Sequence, residues 1–523
     1  MFRKFFYAVC FLLITTSVFS QTTVKGFVFE DLNGNGKKDR REKGIANVAV
    51  SDGINVVLTN ANGQYLLQTG NDNTIFVIKP SGYQTVIDDN NLPAYYYHHK
   101  PEGSPQMKYP GVAPTGKLPA SVDFALRKNQ ENDDFKILVF GDPQAYNMDE
   151  VRYFGKGIVS EVAGIQNIAF GISLGDLVGD RPDLFKPYIN EIKRVGVPWY
   201  NVMGNHDMNF DAKHDSLSDE SFQAHFGLAN YAFNYGKVHF LVLDNILYPD
   251  PRDGKGYWGG FTESQFAFIE NNLRYVPKDY LVVLAYHIPI ISNANSVRMQ
   301  DQKRLFELLK EFPHTLSLSA HTHRMSHFFL GKEDGWLQEK PHHHFNAGAT
   351  SGNWYSGQLN ENGVPVSMMS DGTPKGYSFL NFNGNKYTID YKVAGMPAER
   401  QINIFAPKVV AQNGRTSSSI YANFFMGHKT DEVLFRVNEG EWRKMNYTEE
   451  VDPFYNAELL NWDLSDTLLT GRRPGPIAVS QHLWKAPAPT RLEPGQHTIE
   501  VKATDMFGKT HYGKRTYRVV AAK

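Results

Sequence analysis

Cysteine is nearly absent: the 523 residues hold one, Cys10. That excludes a disulfide framework, while leaving the chain able to tolerate an oxidising compartment. Long apolar runs are as scarce. Residues 5–19 form one, short for a membrane span, and no second follows. Phe2-Arg3-Lys4 precedes it and Val18-Phe19-Ser20 closes it ahead of Gln21. This is the layout of a cleaved secretory signal over 1–20 rather than of an anchor. The expectation is a mature chain that starts at Gln21 and has neither cysteine nor a transmembrane segment. It would be exported to the periplasm, the medium or the cell surface. An excess of one charge is missing too: 54 Lys and Arg stand against 55 Asp and Glu. Neither a broad basic surface for a nucleic acid polymer nor an acidic tail is implied. Tandem repeats and low-complexity tracts are also lacking.

What is present divides by pattern. At about 150 residues per domain the length suits about three domains. Over 21–127, short runs such as Val24-Lys-Gly-Phe-Val-Phe and Asn60-Ala-Asn-Gly-Gln-Tyr-Leu-Leu alternate with turns, which reads as a β-sandwich module. A polar linker follows. Over 135–392, strands alternate with amphipathic stretches at 149–162, 184–195, 263–273 and 302–311, the pattern of an α/β domain. Beyond about 393 the helical period disappears and alternating runs return. The stretch 398–523 therefore reads as a second β module.

One loop in the first module has a ligand spacing. Asp31, Asn33, Asn35, Gly36, Asp39 and Glu42 fit D-x-N-x-N-G-x5-E, the pattern of a calcium loop. Oxygen ligands at alternate positions can wrap a hard cation, the glycine permits the turn, and Glu42 can bind through both oxygens. Strands rather than helices flank it, so this is not an EF-hand pair. The alternative is a solvated Asn/Gly turn.

The remaining chemistry gathers at the ends of five apolar runs. Phe135-Lys-Ile-Leu-Val-Phe runs into Gly141-Asp142-Pro143-Gln144, and the run ending at Leu174 reaches Gly175-Asp176. The run ending at Met203 reaches Gly204-Asn205-His206-Asp207. Tyr280-Leu-Val-Val-Leu-Ala-Tyr ends at His287, and Thr315-Leu-Ser-Leu-Ser-Ala ends at His321-Thr322-His323. In open α/β sheets the C-terminal strand edge is where ligands bind. Phosphoester hydrolysis needs an activated hydroxide and neutralisation of phosphoryl charge, which two divalent ions roughly 3.5–4 Å apart supply. Asp142, Asp176, Asn205, His287, His321 and His323 are the nitrogen and oxygen ligands such a pair requires.

The order D-x-Q, G-D, G-N-H-D, H, A-H-T-H resembles the calcineurin-like metallophosphoesterase family over 135 to about 392. The outer β modules resemble those of its exported bacterial members. The resemblance implies two packed mixed sheets flanked by helices, a four-layer α/β sandwich, with a β-sandwich module at each end. It implies that Asp176 bridges two metals, that Asp142, Gln144 and His323 hold one, and that Asn205, His287 and His321 hold the other. His206 is then an acid or transition-state stabiliser oriented by Asp207, and Asp180 supports a turn. Many family members have histidine at the position of Gln144. An amide oxygen is harder than imidazole, which favours Mn or Mg over Zn or Fe.

Other residues carry weaker signals. His98, His99, His214 and His342 to His344 lie in polar segments and read as surface or supporting residues. The small-residue run after Asn346 ends in Trp354 and Tyr355, and Tyr377 follows a similar turn. All three aromatics are candidates to line a substrate pocket. The expected activity is metal-dependent hydrolysis of a phosphorylated small molecule or lipid head group. A phosphodiesterase or pyrophosphatase acting on nucleotides or phospholipid head groups is the alternative enzyme. A binding protein that keeps the fold without turnover is the alternative class.

Overall fold

The computed structural model describes residues 22–70, 72–291 and 295–522. The expected signal lies outside them. Two mixed sheets form the centre. One runs Trp199–Val202, Phe170–Leu174, Asp134–Phe140, Gly376–Asn383, Lys386–Val393, its first three strands parallel. The other runs Tyr231–Tyr235, Val238–Val242, Leu281–Ala285, Thr315–Ser319, His342–Ala347, Met325–Leu330, its inner four parallel. Phe170–Leu174 and Leu281–Ala285 are buried along their whole length. Covered on both faces, such strands need continuous apolar sequence rather than alternation.

Aromatic rings lock the sheets together. Phe170 meets Phe233 and Phe240 at centroid distances of 5.4 and 5.2 Å, and Tyr200 stacks on Phe233 at 3.9 Å. Helices close the outer faces. Phe185–Ile192 buries Phe185, Tyr188, Ile189 and Ile192, an i, i+3, i+4, i+7 stripe. Glu263–Leu273 starts at a Thr262/Gln265 capping box. Both lie where the amphipathic pattern put them, and the four-layer α/β sandwich is as expected.

The polar His342-His343-His344 segment is not at the surface. It is a buried strand, and its rings reach hydroxyl partners: His342 bonds Thr315 and Ser317, and His344 bonds Ser319 and Tyr286. Polar side chains enter a core when each finds a partner. His99 is buried as well, whereas His214 is exposed.

The N-terminal residues form a five-stranded and a four-stranded sheet, and the C-terminal residues do likewise. The C-terminal part also holds a helix, Pro453–Asp463, that periodicity did not show. Only Tyr455 and Leu459 of it are buried, so it has no apolar stripe to read. Its start signal was nevertheless present, with Asp452 capping Phe454 and Tyr455 and proline at the first turn.

Candidate metal centre

Each strand end turns sharply, and the turn aims a side chain. Asp142 and Gln144 follow Asp134–Phe140, Asp176 follows Phe170–Leu174, and Asn205 follows Trp199–Val202. His287 follows Leu281–Ala285, and His321 and His323 follow Thr315–Ser319. Backbone φ is positive at Asp142 (39°), Gln144 (40°), Asp176 (46°), His321 (67°) and His323 (50°). Left-handed backbone costs a non-glycine residue about 1–3 kcal/mol and collects at functional sites. Glycines make the approach possible. A Cβ on Gly204 would lie 1.9 Å from the Asp176 nitrogen, and one on Gly175 2.5 Å from the His287 ring.

Asp176 lies at the centre. Its Oδ2 is 3.2 Å from His287 Nε2 and accepts from Gln144 Nε2 at 3.2 Å, while its Oδ1 accepts from the His206 backbone N–H at 2.9 Å. His287 Nε2 also lies 3.2 Å from Asn205 Oδ1 and 3.2 Å from His321 Nδ1. Asp142 Oδ2 is 3.9 Å from His323 Nε2. Ligand atoms of Asp176, His287 and His321 fall within 4.8 Å of one another. His287 Nδ1 bonds Leu174 O at 2.8 Å and His323 Nδ1 bonds Gly352 O at 2.7 Å. Those bonds fix the tautomer and turn the Nε2 lone pairs inward.

The electrostatics fit divalent cations. Asp142 Oδ2 and Gln144 Oε1 are buried without a hydrogen-bond partner. Burial, with the Asp176 charge nearby, pushes the Asp142 carboxyl well above its usual range despite His287. Burial, then the charge on His287, lowers His321 to about 3, and burial lowers His323 to about 4. Orphaned oxygen acceptors beside neutral imidazoles form a donor set that a hard or borderline cation satisfies.

The structure exchanges two expected roles. Asp207 does not touch the His206 ring. Its carboxylate accepts from the backbone N–H of Leu177 and Val178 at 3.1 Å each and of Gly204 at 2.8 Å, pinning the Asp176 turn to the Asn205 turn. The group that orients His206 is Asp180, with Oδ1 2.7 Å from Nδ1. The resemblance implied Asp207, but the turn carries its side chain inward. Burial disfavours a charged His206, yet the Asp176 and Asp180 carboxylates outweigh it and raise the ring to about 9.

The aromatic residues divide. Trp354 is partly exposed, and its ring lies 4.5 Å from that of His323. Tyr355 turns the other way, buried with its hydroxyl donating to Pro143 O. Tyr377 belongs to the strand Gly376–Asn383, buried against Phe140 with its hydroxyl donating to Glu161. Neither faces the site. Sequence reading missed Tyr146, whose hydroxyl is 3.4 Å from His206 Nδ1, and Tyr257, whose ring is 6.2 Å from His321. Tyr146, two residues past Gln144, was findable by position, whereas Tyr257 sits far along the chain from every motif.

In the N-terminal loop, Asp31 accepts from the N–H of Gly34 and Gly36. The amides of Asn33 and Asn35 both donate to Asp39 Oδ2 at 2.7 and 3.0 Å. Glu42 accepts from the backbone N–H of Leu32 and Asp39, both at 2.9 Å.

A buried set of carboxylate, imidazole and amide ligands at the strand ends of a two-sheet sandwich defines a metal-dependent phosphoesterase. The chain belongs to the calcineurin-like phosphoesterase family. Models of its N-terminal part match 32–109, of the phosphoesterase itself 135–325, and of its C-terminal part 344–511. Colossin-A of Dictyostelium discoideum is 51% identical over 71 residues, 13% of this chain. The chain spans only 1% of that protein. A probable glycerophosphodiester phosphodiesterase, GpdQ of Arcobacter nitrofigilis, is 24% identical over 192 residues, 35% of this chain and 67% of its own length. Among solved structures, purple acid phosphatase PPD1 from yellow lupin aligns over 72% of this chain and 68% of its own at 12% identity, with a TM-score of 0.37. No helix among the described residues is long and apolar enough to cross a membrane.

Proposed function

We propose that the chain is an exported, dinuclear phosphoester hydrolase with a signal at 1–20, a β module at 21–127, a catalytic domain at 135–392 and a second β module at 398–523. The observation that carries the dinuclear reading is the pair of unpartnered oxygens, Asp142 Oδ2 and Gln144 Oε1, beside the Asp176–His287–His321 cluster. They extend the donor set beyond what one ion uses. Asp142, Gln144 and His323 would hold one ion, Asn205, His287 and His321 the other, with Asp176 between them. Such ions activate water and neutralise phosphoryl charge. The amide oxygen of Gln144 favours Mn or Mg.

The chain's own residues do the rest. Asp180 holds His206 by Nδ1, so Nε2 faces the site, 4.0 Å from Asp176 Oδ2. From there it stabilises the phosphoryl group and gives a proton to the leaving oxygen. Trp354 offers an aromatic face to the substrate beside His323. The likeness to a protein named as a phosphodiesterase favours a small-molecule diester over a monoester.

Metal analysis and turnover on aryl mono- and diesters test the assignment together. Asp176→Asn should lose both metal and activity. His206→Ala should keep its metal and lose about 10²–10⁴-fold in kcat, the usual share of acid–base catalysis. Equal metal loss in both variants defeats the role given to His206. We read the Asp31–Glu42 loop as a calcium site on its ligand spacing. Calcium should then raise the melting temperature of the full chain, and Glu42→Ala should remove that gain. A wild-type chain indifferent to calcium leaves only the turn.

A further inference from the structure

A cavity of about 350 Å³ adjoins the metal ligands, with His321 in its wall. Its lining includes Ile288, Pro289, Thr322, Arg324, Asn346 and Gln481. Asn346 is the informative residue. On the strand His342–Ala347, residues 342, 344 and 346 share one face. His342 is bonded by Thr315 and Ser317, and His344 by Ser319 and Tyr286. Asn346, the next on that face, is 1% exposed and donates Nδ2 to Thr322 Oγ1 at 2.7 Å. Its Oδ1 is buried and has no partner. An unmade hydrogen bond at a buried acceptor costs about 1–3 kcal/mol. The row of satisfied polar side chains is thus left incomplete at the position that borders the cavity.

Charge adds a second criterion. Arg324 is exposed at the same cavity, one residue past His323, and no carboxylate among the described residues pairs with it. Gln481, from the C-terminal residues, uses its Oε1 to accept from Ser326 Oγ at 3.1 Å. Its amide N–H groups remain available. The cavity therefore brings the unpartnered Asn346 acceptor together with the Arg324 and Gln481 donors, against the apolar Ile288 and Pro289.

We propose that this cavity receives the substituent carried by the reacting phosphoryl group, and that it selects a hydroxylated, anionic substituent, such as a phosphorylated sugar or polyol, over a cationic one. A hydroxyl of the substituent donates to Asn346 Oδ1. Its anionic group pairs with the Arg324 guanidinium, whose planar fork matches phosphate and carboxylate. An ammonium head group would be repelled by Arg324. The assignment rests on the neighbouring cluster being the phosphoester site, and it makes Arg324 and Asn346 specificity residues rather than catalytic ones.

The test compares three esters with metal-loaded full-length protein: a sugar bisphosphate, phosphocholine and p-nitrophenyl phosphate. The matching diesters are glycerophosphoinositol phosphate, glycerophosphocholine and bis(p-nitrophenyl) phosphate. Wild type should favour the hydroxylated anionic ester in kcat/KM over the cationic one. Arg324→Ala should cut kcat/KM on that ester by about 10–100-fold, the worth of a hydrogen bond to a charged group. The aryl ester should change less than about twofold, and Arg324→Lys should recover part of the loss. Asn346→Leu should lower the hydroxylated ester selectively, with metal content unchanged. A uniform change across the three esters, or none in Arg324→Ala, overturns the subsite while leaving the hydrolase standing. Metal-loaded wild type that hydrolyses no ester of either series overturns the hydrolase reading and this one with it.

Discussion

The N-terminal β module shares its apolar core with the catalytic sheets, whereas the C-terminal module keeps its own. One continuous cluster runs from Val24, Ile75 and Phe76 through Phe140 and Phe170 to Leu284. Phe76 packs edge-on to Phe268 at 5.7 Å and Tyr95 meets Tyr231 at 5.3 Å. A buried ion pair, Lys79 with Glu131 at 2.6 Å, and a bond from Lys79 to Asn234 O at 2.6 Å reinforce the join. At the other end, Ile402, Phe424, Val433, Trp484, Val501 and Val519 form a separate cluster. That module sends Phe425 and Met426 into the shared core and lays Phe507 against it, and it also attaches by a set of polar bonds. Asp371 of the catalytic part has His482 Nε2 3.1 Å from its carboxylate and accepts from Asn423 at its carbonyl, while its carboxylate also accepts from Met325 N at 2.7 Å. Asn353 donates to Tyr455 at 2.7 Å.

The difference assigns the modules different work. Apolar contact is strong and non-directional, so a shared core makes one cooperative unit. Polar contact is weaker but fixes direction. Of the residues it reaches, Asn353 adjoins Trp354, and Asp371 in turn holds Met325, two residues past His323. The C-terminal module thus bears on the geometry of the site, the N-terminal one on whether the catalytic sheets stay folded.

The largest expected effect follows from the shared core. Phe76→Ala removes a fully buried ring and should cost about 3–5 kcal/mol. In denaturant unfolding of the full chain, the catalytic sheets should lose stability together with the N-terminal module. A first module that melts alone, leaving the catalytic transition in place, breaks the comparison.

The polar junction should respond differently. Asp371→Ala strips the partner from His482 across the junction and the acceptor from Met325 N and Thr373 N, all buried, costing about 2–3 kcal/mol. The loss should appear mainly as earlier release of the C-terminal module. Turnover should fall as well, because Met325 stands two residues past His323. Full activity in this variant would mean the junction is only an attachment.

How much of this the sequence disclosed depends on the range of the interaction. The strand ends were legible, because a buried parallel strand is a continuous apolar run and its ligands follow immediately. Asp142, Asp176 and His321 could be placed from that alone, whereas Gln144 came only with the family resemblance. The fate of a side chain after a tight turn was not legible. Asp207 and Asp180 exchanged the roles the resemblance implied, since turn dihedrals decide which carboxylate meets His206. Tyr355 and Tyr377 were misread for the same reason. The burial of His342 to His344 depends on hydroxyls of other strands, and Pro453–Asp463 lacks the apolar stripe that reveals a helix.

The smallest effect concerns proton uptake at the N-terminal junction. His98 lies on Tyr96–His99, with Nδ1 2.8 Å from Thr74 Oγ1 and Nε2 3.2 Å from the Gln223 carbonyl. Neutral imidazole satisfies both, donating from Nε2 and accepting at Nδ1. Burial, with Lys100 adding to it and the bond to Gln223 opposing, lowers the ring to about 4. An unfolded chain titrates near the ordinary value of about 6.5, so it takes the proton first. The advantage of the neutral ring is complete above that value, declines as pH falls, and is gone below about 4. Between pH 7 and 5.5 that amounts to about 1 kcal/mol. Asp371 loses its contribution in the same direction but at lower pH: burial disfavours its charge, but His482 and two backbone N–H groups hold its carboxyl below the usual range. Its contribution stays intact until pH falls below the ordinary carboxylate value. Mild acid should therefore loosen the N-terminal junction through His98 while the Asp371 link holds. Comparing wild type with His98→Gln at the two pH values isolates this ring from the other buried histidines. The variant should lose about 1 kcal/mol less on acidification, and an identical loss in both proteins would place the acid-sensitive step elsewhere in the core.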